Sequence, residues 1–184
     1  MIYYKNKNKK KSIKGYSNKQ IENMNKKINK YLNKLDLNVS EGKYEGFTIK
    51  FDLKFKKGGS QGVAIDKAKS EKDGEFSIGN SLSKANSIIY PPFEKIEIDN
   101  SDDTTTTTTV GGITVNNKFI TMNSLENTII NIIHEIFHTF GFEHPKGKGS
   151  ENGIMRYPPE RPNQNDANTL GNGDFLPIKL INND

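Results

Sequence analysis

The sequence contains no cysteine. Disulfide bonds, thiolate catalysis and any cysteine-containing zinc site are therefore excluded. The chain also has no apolar run that approaches the roughly 18 residues of a membrane-spanning helix, so we expect no membrane span. The absence of cysteine suits a cytosolic protein and a secreted bacterial protein equally, and it does not fix the compartment.

The first residues lack the apolar core of a secretory signal. Residues 1–14 are polar and basic, without the apolar stretch of about seven or more residues that such a signal needs. The chain is then either a protein that stays inside the cell, a processed fragment, or a module carried by a larger polypeptide. We expect residues 1–16 to form a basic flexible lead-in and residues 17–184 a single domain.

Positive charge is concentrated near the N terminus. Residues 1–57 carry sixteen lysines against five acidic residues, whereas the whole chain has a net charge of +5. These lysines are not interleaved with arginine or with aromatic platforms for base stacking, so we expect a solvated face or tether and no nucleic-acid partner. The alternative is a protein that acts by binding nucleic acid or a membrane surface through this segment.

Hydrophobic patterns predict a mixture of helices and strands. Ser17 and Gln20 have the spacing of a capping box, and an apolar stripe follows, which predicts a helix over residues 17–37 that packs on a sheet. Alternation over residues 47–55 predicts a half-buried strand. Residues 100–109, acidic and then rich in threonine, are interpreted as an exposed loop with some strand tendency. Further strands are predicted at 62–65, 87–90 and 94–99.

The second half of the chain carries the strongest predicted helix. A hairpin is expected across Asn116-Asn117, between strands at 111–115 and 118–122. Asn123 is a suitable N-cap for the next helix, with Glu126 three residues on. This helix is apolar on most sides, as a buried helix is, and should end at Gly141. A short helix near 165–170 follows.

All three histidines of the chain lie on or just after this helix. His134 and His138 are four residues apart on one helical face, so their imidazoles can converge on one ion. Glu135 points to the same side and can reach a water activated by the metal. A bend at Gly141, with positive φ, would return His144 as a third ligand. Three nitrogens leave a fourth position open, the layout of a catalytic zinc site, whereas a structural zinc would have a fourth protein ligand.

The segment HEIFHTFGFEH, from His134 to His144, resembles the HExxHxxGxxH motif of the metzincin clan of zinc metallopeptidases. Members carry a tight turn with a methionine beneath the zinc, and GIMRYPP at 153–159 offers Met155 for that turn. Tyr157 resembles the tyrosine that astacin-like and serralysin-like members place near the metal, as a ligand or as a donor to the oxyanion. The plainer interpretations are a space-filling Met155 and a Tyr157 packed against Pro158.

The resemblance implies an α+β fold: a metzincin-like mixed twisted sheet with a backing helix, an active-site helix and a small irregular C-terminal subdomain. The subdomains would be 17–141 and 142–184, and an edge strand from 110–122 would pair with an extended peptide substrate. The implied function is a monomeric zinc-dependent endopeptidase with Glu135 as general base. The alternative is an inactive zinc-containing module that binds a peptide or partner. Backbone carbonyls near Ile154 and Met155 are the expected acceptors for the imidazoles of His134 and His138.

A second resemblance lies downstream. GIMRYPP, NDAN at 165–168 and GN at 171–172 are similar to the metallopeptidase toxin domains at the C termini of RHS-type polymorphic bacterial toxins. That similarity implies secretion or delivery outside the producing bacterium by a carrier polypeptide, and a cognate immunity protein as partner. Only ten residues separate His144 from Met155, so we expect a compact lower subdomain. Substrate preference, latency and biological role are left open by the sequence.

Overall fold

The structure is a computed structural model that describes residues 15–59, 62–72, 74–79, 87–93, 96–99, 105–108, 111–123, 128–145 and 153–173. In these ranges it contains three helices and ten strands in three sheets, which confirms the expected α+β class. The elements are α1 Asn18–Lys34, β1 Thr48–Asp52, β2 Lys54–Lys57, β3 Val63–Asp66, β4 Lys69–Lys72, β5 Glu75–Gly79, β6 Ser87–Phe93, β7 Ile96–Asp99, β8 Thr105–Thr108, β9 Gly112–Val115, β10 Phe119–Asn123, α2 Ile129–His138 and α3 Gln164–Asn172.

The first helix begins as its capping box predicts. The Ser17 side chain accepts from the Gln20 N–H, and the Gln20 side chain accepts from the Ser17 N–H. The helix ends at Lys34, short of residue 37. Tyr16, which we assigned to the flexible lead-in, is instead buried in the core. Tyr16 and the buried Ile21 occupy the two positions of a hydrophobic staple, so packed structure begins before Ser17, and residues 1–14 lie outside the described residues.

The strand predicted at 47–55 is observed as two strands. β1 pairs in parallel with β5 and β2 pairs antiparallel with β3, so the break at Leu53 falls where the chain changes partner. The predicted alternation is confirmed, because the side chains of Ile49, Phe51, Leu53 and Phe55 are all buried.

Helix α1 lies along the edges of β1 and β2 that face away from β5 and β3, and it binds these edges with a ladder of asparagine amides. Asn33, Asn29 and Asn25 each donate to and accept from one backbone residue, at 2.7–2.8 Å. Four helical residues rise about 6.0 Å and two strand residues about 6.6 Å, so the two spacings match. The ladder satisfies backbone groups that would otherwise form an open sheet edge. The paired backbone residues are Phe51, Leu53 and Phe55.

The largest sheet has the strand order β2-β3-β6-β10-β9. The predicted hairpin is confirmed: β9 pairs antiparallel with β10, and Asn116 and Asn117 both have positive φ, as a type I′ turn requires. Among the described residues β9 pairs only with β10, so it is an edge strand. Sequence reasoning missed β4 and β5, which form a sheet with β1 in the order β1-β5-β4.

Two of the predicted element assignments are wrong. Thr105–Thr108, within the segment expected to be an exposed loop, forms β8 and pairs antiparallel with β7. Threonine is β-branched and favours extended backbone, which explains this result. Helix α2 begins after Thr128, whose side chain accepts from the Asn131 N–H, and not after Asn123. Asn123 belongs to β10, where its N–H donates to the Gly111 carbonyl, and Glu126 lies outside the described residues.

Helix α3 matches the short helix expected near 165–170 and has its own capping box between Asn163 and Asp166. Buried apolar side chains from α1, the two larger sheets, α2 and α3 form one cluster. In the part of the chain that the structure describes, no helix has both the length and the apolar character to cross a bilayer.

Candidate metal centre

The three histidines lie together at the C-terminal end of α2. His134 is buried within the helix, His138 is its last residue, and Thr139 is the C-cap. Gly141 has φ 92°, as the predicted bend requires, and the Gly141 N–H donates to the His138 carbonyl at 3.0 Å. The chain then reverses, so that the exposed His144 faces the two helical imidazoles.

Each imidazole is oriented by a backbone carbonyl. His134 Nδ1 lies 2.5 Å from the Ile154 oxygen, and His144 Nδ1 lies 2.9 Å from the Met155 oxygen. His138 Nδ1 lies 2.8 Å from the Phe142 oxygen. We expected this acceptor near Ile154 or Met155, but it lies in the turn after α2. Since carbonyls only accept, these bonds assign the proton to Nδ1 in all three rings and leave the Nε2 lone pairs unprotonated.

The ligand atoms of the three rings lie within 4.8 Å of one another. Nε2 of His138 and Nε2 of His144 are 3.1 Å apart, and two lone pairs at that distance repel unless a cation or proton lies between them. Nε2 of His134 is buried and has no hydrogen-bond partner. A buried polar atom without a partner costs free energy, and a shared cation would satisfy all three nitrogens. The residues therefore fit a metal ion, whose identity the geometry does not specify.

The electrostatics keep these histidines in the form that binds metals. Desolvation is the main cause that lowers the pKa of His134 to about 4. Electrostatic interaction with His138 and His144 also lowers this pKa, whereas the hydrogen bond to Ile154 raises it. Desolvation also lowers the pKa of His138. Metal ligands must be unprotonated, so both rings are competent at neutral pH.

Glu135 lies buried beside the cluster and contacts β9. Its Oε2 accepts from Thr114 Oγ1 at 2.6 Å, and the same hydroxyl donates to the Glu135 carbonyl at 3.0 Å. Desolvation raises the pKa of Glu135 to about 7, although the Thr114 bond acts in the opposite direction. A Cβ on Gly112 would lie 2.7 Å from Cγ of Glu135, so the carboxylate occupies space that only glycine leaves free. Sequence reasoning found neither Thr114 nor Gly112, since nothing in a hairpin pattern indicates which helix it touches.

Met155 and Tyr157 also border the histidine cluster. Met155 is buried in a tight turn, which the Arg156 N–H closes by donating to the Gly153 carbonyl at 3.3 Å. The Tyr157 ring lies 4.6 Å from the His144 ring and 5.1 Å from the His134 ring, between centroids, with 53% of the residue exposed. Desolvation of the hydroxyl, followed by the charge of Glu135, raises the pKa of Tyr157 to about 12.

Helix α3 holds the turn that carries Met155. Asp166 Oδ2 accepts from the N–H groups of Asn163 at 2.8 Å and Ile154 at 3.2 Å. Ile154, whose carbonyl lies against His134 Nδ1, is thus held at its own N–H by a buried carboxylate. Sequence reasoning did not identify Asp166, although its place three residues after Asn163 is that of a capping box.

A cleft of about 480 Å³ has Glu143 and Pro145, the chain neighbours of His144, in its lining, but its lining includes none of the three histidines. It runs along the turn after α2, the Met155 turn and the N-terminal part of α3, with Glu143 and Arg156 on its walls. Comparison of the chain with models of protein families, with curated proteins and with solved structures finds no match.

Proposed function

We propose that this protein is a zinc-dependent endopeptidase of the metzincin type. The observation that carries the proposal is the convergence of three Nδ1-bonded imidazoles beside a buried carboxylate. Three imidazole nitrogens suit Zn²⁺, and three protein ligands leave room for a water or substrate oxygen. Zinc bound there would supply Lewis acidity, which makes water a stronger acid and polarises a carbonyl.

Glu135 is the proposed general base. It accepts the proton of the attacking water and returns it to the leaving amine as the peptide C–N bond breaks. Burial, which raises its pKa to about 7, brings its basicity near the working pH, and Thr114 fixes the orientation of the carboxylate. Tyr157, beside two of the rings, is the proposed donor to the oxyanion.

The edge strand β9 is the proposed binding site for an extended substrate. Asn123 pairs with Gly111, and hydrogen bonds alternate along an antiparallel ladder, so the backbone groups of Gly112 and Thr114 point away from β10. Both residues touch Glu135, so a peptide added to this edge would pass the general base. Release of the domain from a larger carrier, as in RHS-type toxins, and a cognate immunity protein remain proposals from sequence resemblance.

The alternative is a zinc-containing module that binds a peptide or partner without cutting it. Such a module would need no base, yet Glu135 is buried, hydrogen-bonded by Thr114 and accommodated by a glycine. Burying a carboxylate costs free energy of folding, and a catalytic role would account for a chain that keeps one here. This argument favours the enzyme.

The test is a comparison of the wild-type chain with Glu135→Gln. We expect the wild type to bind one Zn²⁺ and to cleave casein or a mixed peptide library, and the variant to bind Zn²⁺ without cleavage. His144→Ala is the matched control, because it removes a ligand and should lose both properties. A Glu135→Gln variant that cleaves at the wild-type rate refutes the assignment, and zinc binding without cleavage by the wild type supports the binding module.

A further inference from the structure

A buried lysine lies beneath the end of the helix that carries His134 and His138. Lys67, between β3 and β4, is 2% exposed and is among the largest fully buried side chains. Its Nζ donates to the Thr139 carbonyl at 2.7 Å and lies 5.4 Å from the centre of the Phe140 ring. Lysine is almost never fully buried unless it is paired, so this placement calls for an explanation.

The C terminus of α2 is a place where a buried hydrogen-bond donor is useful. The last carbonyls of a helix lack intrahelical partners and carry partial negative charge. At α2 the four carbonyls from residue 135 to residue 138 accept from Thr114 Oγ1 and from four N–H groups of the following turn. Lys67 supplies the donor for the next carbonyl, that of the buried Thr139. The four turn donors are the N–H groups of Thr139, Phe140, Gly141 and Phe142.

The capped segment is the same one that completes the metal centre. From Thr139 the chain passes through Gly141 to Phe142, whose carbonyl lies 2.8 Å from His138 Nδ1, and then to His144. Two of the three ligands therefore depend on the path of this turn. We propose that Lys67 is a positioning residue for the metal centre, which fixes the turn between His138 and His144 through the Thr139 carbonyl. This inference rests on the metal binding in the proposed function.

A neighbouring lysine offers a matched control. Lys69 is 4% exposed, and its Nζ donates to the carbonyl of Gly173, the C-cap of α3. The two lysines thus share burial and the kind of acceptor, but Lys69 acts on a helix end that holds no ligand. Replacing either lysine with methionine removes one buried amine donor and keeps a long unbranched side chain.

The experiment titrates Co²⁺ into the wild type, Lys67→Met, Lys69→Met and Lys67→Arg. Affinity is measured by chelator competition, ligand arrangement by the visible absorption of bound Co²⁺, and the stability of each metal-free protein by urea denaturation. We expect Lys67→Met to weaken Co²⁺ binding about tenfold and to alter the spectrum, since supports of metal ligands have effects of that size. Lys69→Met should keep wild-type affinity and spectrum, and Lys67→Arg should recover much of the affinity.

Lys67→Met with the affinity and spectrum of the wild type would overturn the inference, and so would equal losses in the two methionine variants. Should Lys67→Met not fold, Lys67→Gln replaces it and the same outcomes decide. A wild-type chain that binds no Co²⁺ and no Zn²⁺ would instead refute the proposed function. The two failures are therefore distinguishable.

Discussion

Gly112→Ala tests whether the exact place of the Glu135 carboxylate governs turnover. A Cβ at residue 112 would lie 2.7 Å from Cγ, 2.9 Å from Oε1 and 3.0 Å from Cδ of Glu135. Carbon atoms in contact are about 3.5–4.0 Å apart, so the Glu135 side chain must move by about 0.8 Å or more. A misplacement of about 1 Å at a reacting group can cost about a hundredfold in rate. We therefore expect kcat to fall about ten- to a hundredfold.

Zinc affinity should survive this substitution, because the three atoms nearest the added Cβ all belong to Glu135, which is not one of the three proposed ligands. The assay measures kcat and KM on a peptide substrate beside zinc affinity from chelator competition. Gly59→Ala is the control, since a Cβ there meets nothing within 4 Å. Wild-type kcat in Gly112→Ala would refute the reasoning about the base, and loss of zinc would show that the substitution disturbs the whole site.

Three further predictions concern residues around the site. Tyr157→Phe should lower kcat about a hundredfold with zinc affinity unchanged, as loss of an oxyanion donor does; full activity in steady-state kinetics would leave Tyr157 a packing role. Asp166→Ala should cost about 2 kcal/mol of unfolding free energy in urea, because the Ile154 and Asn163 N–H groups lose their acceptor; an unchanged midpoint would contradict this. Desolvation lowers the pKa of Lys67 from 10.5 to about 7. Between these pH values the unfolded chain binds more protons, so this group should make the unfolding free energy rise with pH, by on the order of 5 kcal/mol in total. Metal-free Lys67→Met should lack this rise when the two proteins are compared in urea at pH 7 and pH 10.

The histidine cluster was predictable because its spacing is short and local. His134 and His138 share a helical face whatever surrounds the helix, and a glycine at 141 permits the reversal that His144 needs. The start of α2 was not predictable in the same way. Asn123 and Thr128 are both good N-caps, and the choice between them depends on the pairing of β10 with β9, a contact between separate segments.

The residues that position the site could not be predicted from the sequence, for a related reason. Thr114, Lys67 and Asp166 act through hydrogen bonds to residues 12 to 72 positions away in the chain. A lysine in a polar stretch is normally solvated, and only the fold reveals that this one meets a helix end. Local patterns therefore identify the groups that would contact the metal, whereas tertiary contacts determine how they are held.

The asparagine ladder on α1 has a counterpart on α3, and together they explain how a chain of low apolar content fixes its site. On α3 three amides at intervals of four residues bind the backbone of residues 38–43. Asp166, on the same short helix, accepts from the Ile154 N–H, and the Ile154 carbonyl lies against His134 Nδ1. Amide pairs are directional, whereas apolar burial is not, so a few of them can define the position of a helix that has little apolar surface. The position of the histidine cluster then depends in part on side-chain amides outside it. The α3 amides are Gln164, Asn168 and Asn172.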